Sequence, residues 1–157
     1  MIKVFLILVA ILFIGGCGKS KSSFIKDNLS DFNTTATLKK FTKALEAKNY
    51  HLISTINQEE IAKSLKEYLR PTLTLEINNP KISTKLISCN PSMALELPVR
   101  IAIYRELNGK VHLIYTNPEY WSLKHNIKEK ECINLIMLLA RDFDIATDSI
   151  KKIKKAK

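Results

Sequence analysis

The chain has 157 residues, of which 46% are hydrophobic, and a formal net charge of +10 at pH 7. This length allows one domain with a sizeable hydrophobic core. The excess charge lies at the two ends, because the stretch from Asp27 to Ser149 contains 16 basic and 15 acidic residues. A nucleic-acid-binding domain normally carries its positive charge on a structured face, so the nearly neutral body disfavours nucleic acid as a partner.

The N-terminus is typical of a bacterial export signal. Residues 1–16 hold one charge, Lys3, before an apolar run that ends at Ile14. That run is shorter than the roughly 20 residues needed to span a bilayer, and small residues follow it, as they do at a signal cleavage point. The motif IGGC at 14–17 resembles the lipobox of bacterial lipoproteins, in which the cysteine is acylated and becomes the first mature residue.

We therefore predict a lipoprotein signal peptide at 1–16, a lipid anchor such as palmitate on Cys17, and a polar tether at 17–23. The mature protein would be held on a membrane of the bacterial cell envelope and would face the periplasm or the cell exterior. The alternative is an ordinary secretory signal in which Cys17 is incidental. A single domain is predicted at 24–149 and a basic tail at 150–157, whose lysines either lie against anionic lipid or are solvated.

Hydrophobic periodicity and capping residues divide the domain into helices and strands. In chain order, we predict an edge strand at 24–29, a helix from Asn33, Thr34 or Thr35 to about Asn49, a strand at 50–56, a helix beginning at Asn57 or Gln58, a strand at 72–78, helical turns between Asn79-Pro80 and Asn90-Pro91, a hairpin at 97–116, a short helix at 117–125 and a long helix at 129–147. The helix that begins near residue 57 is expected to bury Ile61, Leu65, Tyr68 and Leu69.

The hairpin at 97–116 is the centre of this predicted architecture. Asn108-Gly109 is typical of a two-residue turn in which both residues have positive φ. Such a turn places His112 opposite Arg105, whereas a three-residue turn with a bulge shifts the pairing by one residue.

Both sides of the hairpin are substantially apolar, although a sheet with one wet face should alternate more cleanly. We expect one side to pack on the helices and the other to be covered by a second copy, an envelope protein or a small apolar ligand. Tyr104, His112 and Tyr115 are the candidate ligand or dimer face, because aromatic side chains near a groove can stack on a ligand. The alternatives are aromatic core packing and, for His112, a partly exposed strand histidine.

Several short motifs around the hairpin form a set. They are the helix at 35–48, Asn79-Pro80, Asn90-Pro91, the run from Leu95 to Tyr104, Gly109-Lys110-Val111 and Tyr115-Thr116-Asn117-Pro118. As a set they resemble the domain of unknown function 302 family over roughly residues 23–149. The resemblance implies an α+β fold of the TATA-box-binding-protein-like class, a curved antiparallel sheet with helices packed on one face, and often a homodimer.

The same resemblance implies no established activity. Many members carry an Asp-His pair after the second strand, where this chain has Asn57-Gln58. A function that used that pair is therefore not expected here.

Two cysteines remain once Cys17 is assigned to the lipid. Cys89 and Cys132 can form a disulfide in an oxidising envelope compartment, or Cys132 can remain a free thiol on a buried helical stripe. The three histidines are not spaced as metal ligands, and motifs for a serine nucleophile or a phosphate loop are absent. We predict no metal site, no cofactor and no catalytic residue.

The sequence thus favours a membrane-anchored envelope lipoprotein whose domain is a non-enzymatic binding or self-association module. The alternative is a redox or metal-dependent enzyme that uses Cys89 and Cys132, or His112, in a pocket assembled by the fold.

Overall fold

Five strands form one antiparallel sheet in the computed structural model, which describes residues 24–152. The strands are β1 (Ile25–Ser30), β2 (His51–Asn57), β3 (Thr72–Asn78), β4 (Val99–Arg105) and β5 (Val111–Thr116), in the order β1-β5-β4-β3-β2. The helices are α1 (Thr34–Glu46), α2 (Gln58–Ser64), α3 (Pro80–Cys89), α4 (Trp121–Lys124) and α5 (Lys130–Asp148), with 3₁₀ turns at Pro91–Leu95 and Pro118–Tyr120. This confirms the predicted α+β class, with a central hairpin and helices packed on one face of the sheet.

Asparagine side chains begin most of the helices, as the sequence indicated. Asn33 Oδ1 accepts a hydrogen bond from Ala36 N at 2.8 Å at the start of α1. Asn79 Oδ1 accepts from Ile82 N at the start of α3, where Pro80 occupies the first helical position. Both arrangements satisfy a backbone N–H that has no partner inside the helix.

The core lies between the helices and the side chains of β3, β4 and β5 that alternate toward them. Ile101, Ile103 and Leu113 on this side of the sheet are at most 1% exposed. Phe143 of α5 is at the centre, with its ring centroid 5.8 Å from Phe41, 5.6 Å from Tyr50 and 5.3 Å from Tyr115. The three ring pairs are edge-on, which is a favourable arrangement for aromatic side chains.

The turn of the central hairpin differs from the two-residue turn that Asn108-Gly109 suggested. Tyr104 pairs with His112, and Glu106 N donates to Lys110 O, so three residues form the loop. Within this loop only Gly109 has positive φ, +82°. Asn108-Gly109 therefore ends a type I turn, with the glycine in the left-handed conformation, which is the common three-residue hairpin loop.

The apolar stripe assigned to the helix after β2 is not buried. Helix α2 ends at Ser64, and Lys66 at φ +59° redirects the chain. Ile61, Leu65, Tyr68 and Leu69 are between 40% and 83% exposed. The prediction was wrong because the stripe has the right spacing, but no described helix packs beside α2 to cover it.

The domain extends slightly beyond its predicted end at residue 149. Ile150 is fully buried in the core, and its carbonyl accepts a hydrogen bond from Asp31 N at 3.0 Å. The basic tail therefore begins after a core residue. The predicted signal at 1–16, the predicted lipidation site Cys17, the predicted tether at 17–23 and residues 153–157 lie outside the described residues. No helix within 24–152 combines the length and apolarity needed to cross a membrane.

The central position of Phe143 predicts a large loss of stability when its ring is removed. Phe143→Ala is expected to lower the free energy of unfolding by about 3–5 kcal/mol, because it deletes buried contacts and leaves a cavity. Phe24→Ala is the matched control, since Phe24 is 73% exposed, and should cost less than about 1.5 kcal/mol. Denaturant unfolding measures both values, and equal losses would contradict a core centred on Phe143.

Candidate functional site

The face of the sheet that the helices leave uncovered carries a shallow groove. Its volume is about 290 Å³. It is lined by Ile25, Thr74, Arg100, Ala102, Ile114 and Thr116, which alternate toward this face, and by Ile101 and Tyr115 between them along the strands. Ala102 is small, so the sheet surface is low between its taller neighbours. Arg100 lies at one side of the groove and donates to Glu76 Oε1 at 3.1 Å.

Tyr104 and His112 lie together on this uncovered face. Their rings stack with centroids 5.2 Å apart and planes 12° from parallel. His112 Nδ1 is 2.8 Å from Asp27 Oδ1, and Nε2 is 3.4 Å from Glu106 Oε1. Partial burial and the charges of Asp27 and Glu106 raise the pKa of Tyr104. Its phenol therefore stays neutral and is suited to stacking and hydrogen bonding.

Tyr115 does not share this face, which corrects the predicted set of three residues. It alternates to the helix side, is 3% exposed, and its hydroxyl donates to Asp144 Oδ1 at 3.0 Å. Burial, followed by the charge of Asp144, raises the pKa of Tyr115. The reason is strand alternation, because His112 and Tyr115 are three residues apart and so point to opposite sides. The candidate face is therefore formed by Tyr104 and His112, and Tyr115 is a core residue.

The structure joins Cys89 to Cys132 with an Sγ–Sγ distance of 2.05 Å. The bond ties the last residue of α3 to the first turn of α5, on the helix side of the sheet. His112 lies on the opposite side, so the cysteines and this histidine do not form one pocket. Closing a loop of 43 residues typically stabilises a protein by about 2–4 kcal/mol.

No group of three or more histidine, cysteine or acidic side chains within 24–152 is placed to hold a metal ion. Asn57 and Gln58, which end β2 and begin α2, have local roles. Asn57 Oδ1 caps α2 by accepting from Glu60 N at 3.3 Å, and Gln58 Nε2 donates to Thr74 Oγ1 at 3.1 Å.

A buried polar network that the sequence did not reveal connects Ser92, His125 and Glu96. Ser92 Oγ is 2.7 Å from His125 Nδ1, and His125 Nε2 is 3.0 Å from Glu96 Oε1. The side chains of His125 and Glu96 are only 4% and 7% exposed. The order of groups is that of a serine, histidine and carboxylate triad.

The surroundings of Ser92 favour a structural role for this network. The Ser92 hydroxyl donates to Asn90 Oδ1 at 2.8 Å, so its proton is directed away from the histidine. Ser92 N donates to Asn90 Oδ1, and Met93 N donates to the Asn90 carbonyl. These N–H groups are therefore not free to stabilise an oxyanion, which acyl transfer requires.

The network instead fastens the 3₁₀ turn at 91–95 to the end of α4. Asn90 Nδ2 donates to the His125 carbonyl at 2.8 Å, and Lys124 Nζ donates to Glu96 Oε1 at 2.6 Å. Partial burial acts to raise the pKa of Glu96, but the hydrogen bonds and charges of Lys124 and His125 outweigh it, and the pKa lies below its ordinary value.

Comparison with known proteins identifies a family and solved structures of similar fold. The family model described as Domain of unknown function DUF302 matches residues 28–148. A solved structure titled "Crystal structure of uncharacterized conserved protein DUF302 from Bacillus stearothermophilus" superposes with a TM-score of 0.74 and 14% identity, covering 83% of this chain and 100% of that chain. At that identity the likeness shows the fold alone. No curated protein matches the sequence.

The lowered pKa of Glu96 predicts a pH-dependent stability. A carboxyl group whose pKa is lower in the folded than in the unfolded chain stabilises the fold at pH values above its unfolded pKa, about 4.3. That stabilisation is lost as the pH falls through the folded pKa. Glu96→Gln should therefore be less stable than the wild type at pH 7, and the gap should narrow as the pH falls below about 4. Unfolding in denaturant at a series of pH values tests this. Glu67→Gln, an exposed loop residue, is the control, and a gap independent of pH would contradict the assignment.

Proposed function

The chain belongs to the DUF302 family, and on that premise we propose that it is a lipid-anchored protein of the bacterial cell envelope whose domain binds a second copy of itself. The family assigns no activity, and the proposal includes no reaction. It rests on the lipobox-like motif at 14–17 and on the exposed apolar surface at one edge of the sheet.

The anchor supports self-association through geometry. Six residues, 18–23, separate the acylated position from the domain, so the tether from residue 17 to residue 24 reaches at most about 25 Å. The domain would stay close to the membrane and diffuse in two dimensions. Confinement of this kind raises the effective concentration of one copy near another.

The observation that carries the proposal is a run of exposed apolar side chains between residues 52 and 69, which we term the edge segment. It consists of β2, α2 and the loop that returns to β3. Its large apolar side chains are 38% to 83% exposed, and they are Leu52, Ile53, Ile56, Ile61, Leu65, Tyr68 and Leu69. Large exposed apolar surfaces of this kind mark sites of protein interaction in soluble domains.

Strand β2 is also an open edge of the sheet. Within 24–152 no strand pairs with its outer side. Its pairing with β3 is irregular between Leu52 and Ser54, but no lysine, arginine or acidic residue lies in the strand to discourage pairing at its edge. The opposite edge, β1, is partly covered by the C-terminal residues, since Lys151 Nζ donates to Leu29 O and Lys152 N donates to Asp31 Oδ2. The β1 edge is therefore partly covered, whereas the β2 edge is left available for pairing with another strand.

A second copy is the partner that fits this edge. An antiparallel strand can pair with its own copy across a two-fold axis, which makes the contact self-complementary and closed. The segment from 58 to 70 holds three acidic and three basic residues, so two copies meet without net repulsion. The groove on the uncovered sheet face is the alternative site for an apolar ligand, and its volume of about 290 Å³ is at the small end for ligand sites.

The anchor predicts metabolic labelling at one residue. Cells that express the full chain and are fed labelled palmitate should incorporate the label into the protein, and Cys17→Ala should abolish incorporation because the acylated thiol is gone. Cys89→Ala is the control and should keep the label. Incorporation that persists in Cys17→Ala would contradict the anchor.

The edge segment predicts which substitutions separate the two copies. The full chain in detergent should sediment as a dimer, and Ile53→Lys with Leu65→Lys should convert it to a monomer, because the charges cannot be buried in an apolar contact. Leu107→Lys, at a position 86% exposed in the hairpin turn, is the matched control.

Ala102→Lys distinguishes the edge segment from the uncovered sheet face. It should leave the dimer intact if the copies pair through β2. A wild-type protein that is monomeric under these conditions, or a dimer lost only in Ala102→Lys, would overturn the proposed interface.

A further inference from the structure

A cleft of about 470 Å³ lies between α3 and α5 on the helix side of the domain. This volume falls within the usual range for small-molecule sites. Helix α5 lines it with Glu131, Leu135, Leu138 and Asp142. Those residues are spaced by four, three and four positions, so they form one face of the helix. The other wall and the end of the cleft are formed by Lys81, Ile82 and Lys85 of α3 together with Lys48 and Asn79.

The two walls of the cleft are held at a fixed distance at both ends. The Cys89–Cys132 disulfide ties α3 to α5 beside Glu131. At the far end, Asp142 is 6% exposed and accepts hydrogen bonds from Lys48 Nζ at 2.8 Å and Tyr50 OH at 3.2 Å. Asn79 Nδ2, at the start of α3, donates to the Lys48 carbonyl at 3.3 Å and so connects α3 to the same residue. A cleft fastened in this way is preformed, so a ligand does not pay for opening it.

The lining has an apolar floor and a cationic rim. Ile82, Leu135 and Leu138 supply the floor, one from α3 and two from α5. Of the three rim lysines, Lys48 pairs with Asp142 and Lys85 pairs with Glu131 at 3.0 Å. Both carboxylates are thus already neutralised.

Lys81 is the cation that remains available at the rim. Among residues 24–152 it makes no ion pair, and it is exposed at the opening. It stands in the first turn of α3, which contains no acidic residue. The positive end of the helix dipole therefore adds to the lysine charge and favours an anion there.

We propose that this cleft binds a single-chain anionic amphiphile, with the acyl chain on Ile82, Leu135 and Leu138 and the carboxylate beside Lys81. An apolar floor next to an unpaired cation is complementary to a molecule that has an apolar chain and a negative charge. The floor consists of three side chains, which offers contact for one acyl chain. This site is independent of the self-association proposed above, because the edge segment belongs to β2, α2 and the following loop.

Photocrosslinking with a decanoate that carries a diazirine on its chain tests the proposal on the full chain in lipid nanodiscs. Mass spectrometry should locate the label on peptides of α3 and α5 that line the cleft. Unlabelled decanoate should reduce the labelling at least fivefold, whereas decanol and decyltrimethylammonium, which have chains of equal length and no negative charge, should not. Labelling that spreads over the whole surface, or equal competition by all three compounds, would overturn the proposal.

Two charge-reversal variants test the role of the rim. Lys81→Glu should reduce labelling of the cleft about tenfold, because it removes the available cation and places an anion beside the carboxylate. Lys110→Glu makes the same change in charge in the exposed hairpin turn and should leave the labelling unchanged. Thermal unfolding should show that both variants are folded, with Lys81→Glu at least as stable as the wild type, because an acidic side chain in the first turn of α3 is favoured by the helix dipole. Equal labelling of the two variants would overturn the assignment of Lys81.

Discussion

The packing of α5 across one face of the sheet determines the rest of the structure. Phe143 has its ring within 6 Å of Phe41, Tyr50 and Tyr115, so α1, the start of β2 and β5 all depend on the same buried side chain. Because this helix layer covers only one face, the other face and the β2 edge are left to solvent. The positions of the groove on the sheet and of the edge segment follow from where the helices do not pack.

Local sequence rules predicted most of the fold and failed where a tertiary partner decides the outcome. Asn33, Asn79 and Asn117 act at helix starts because capping depends on neighbouring backbone alone. The stripe of Ile61 and Leu65 has equally good spacing but is exposed. Periodicity shows that one face of a helix is apolar, but it does not show whether another element covers that face. The length of the turn at Gly109 stayed open between two and three residues for a similar reason, because Asn-Gly suits more than one hairpin loop.

The site residues were harder to predict because their contacts join distant parts of the chain. Ser92 and His125 are separated by 33 positions, and Lys48 and Asp142 by 94, so no local motif could link them. The error at Tyr115 has a simpler cause. Side chains alternate along β5, so Tyr115 and His112 lie on different faces of the sheet, and this alternation can be read from the sequence. The cleft between α3 and α5 depends on Cys89 and Cys132, whose pairing sequence reasoning left open against a free thiol.

The exposed edge segment is informative because it conflicts with the rest of the molecule. Along α5 and β4 the buried side chains follow the period of a helix and of a strand, and the exposed large apolar side chains elsewhere in the described chain do not form so long a run. Seven such side chains in one strand, the helix after it and the following loop therefore indicate a further requirement there. An unprotected apolar edge carries a risk of uncontrolled pairing. A closed two-fold contact removes that risk, because it uses the edge of both copies and leaves none open.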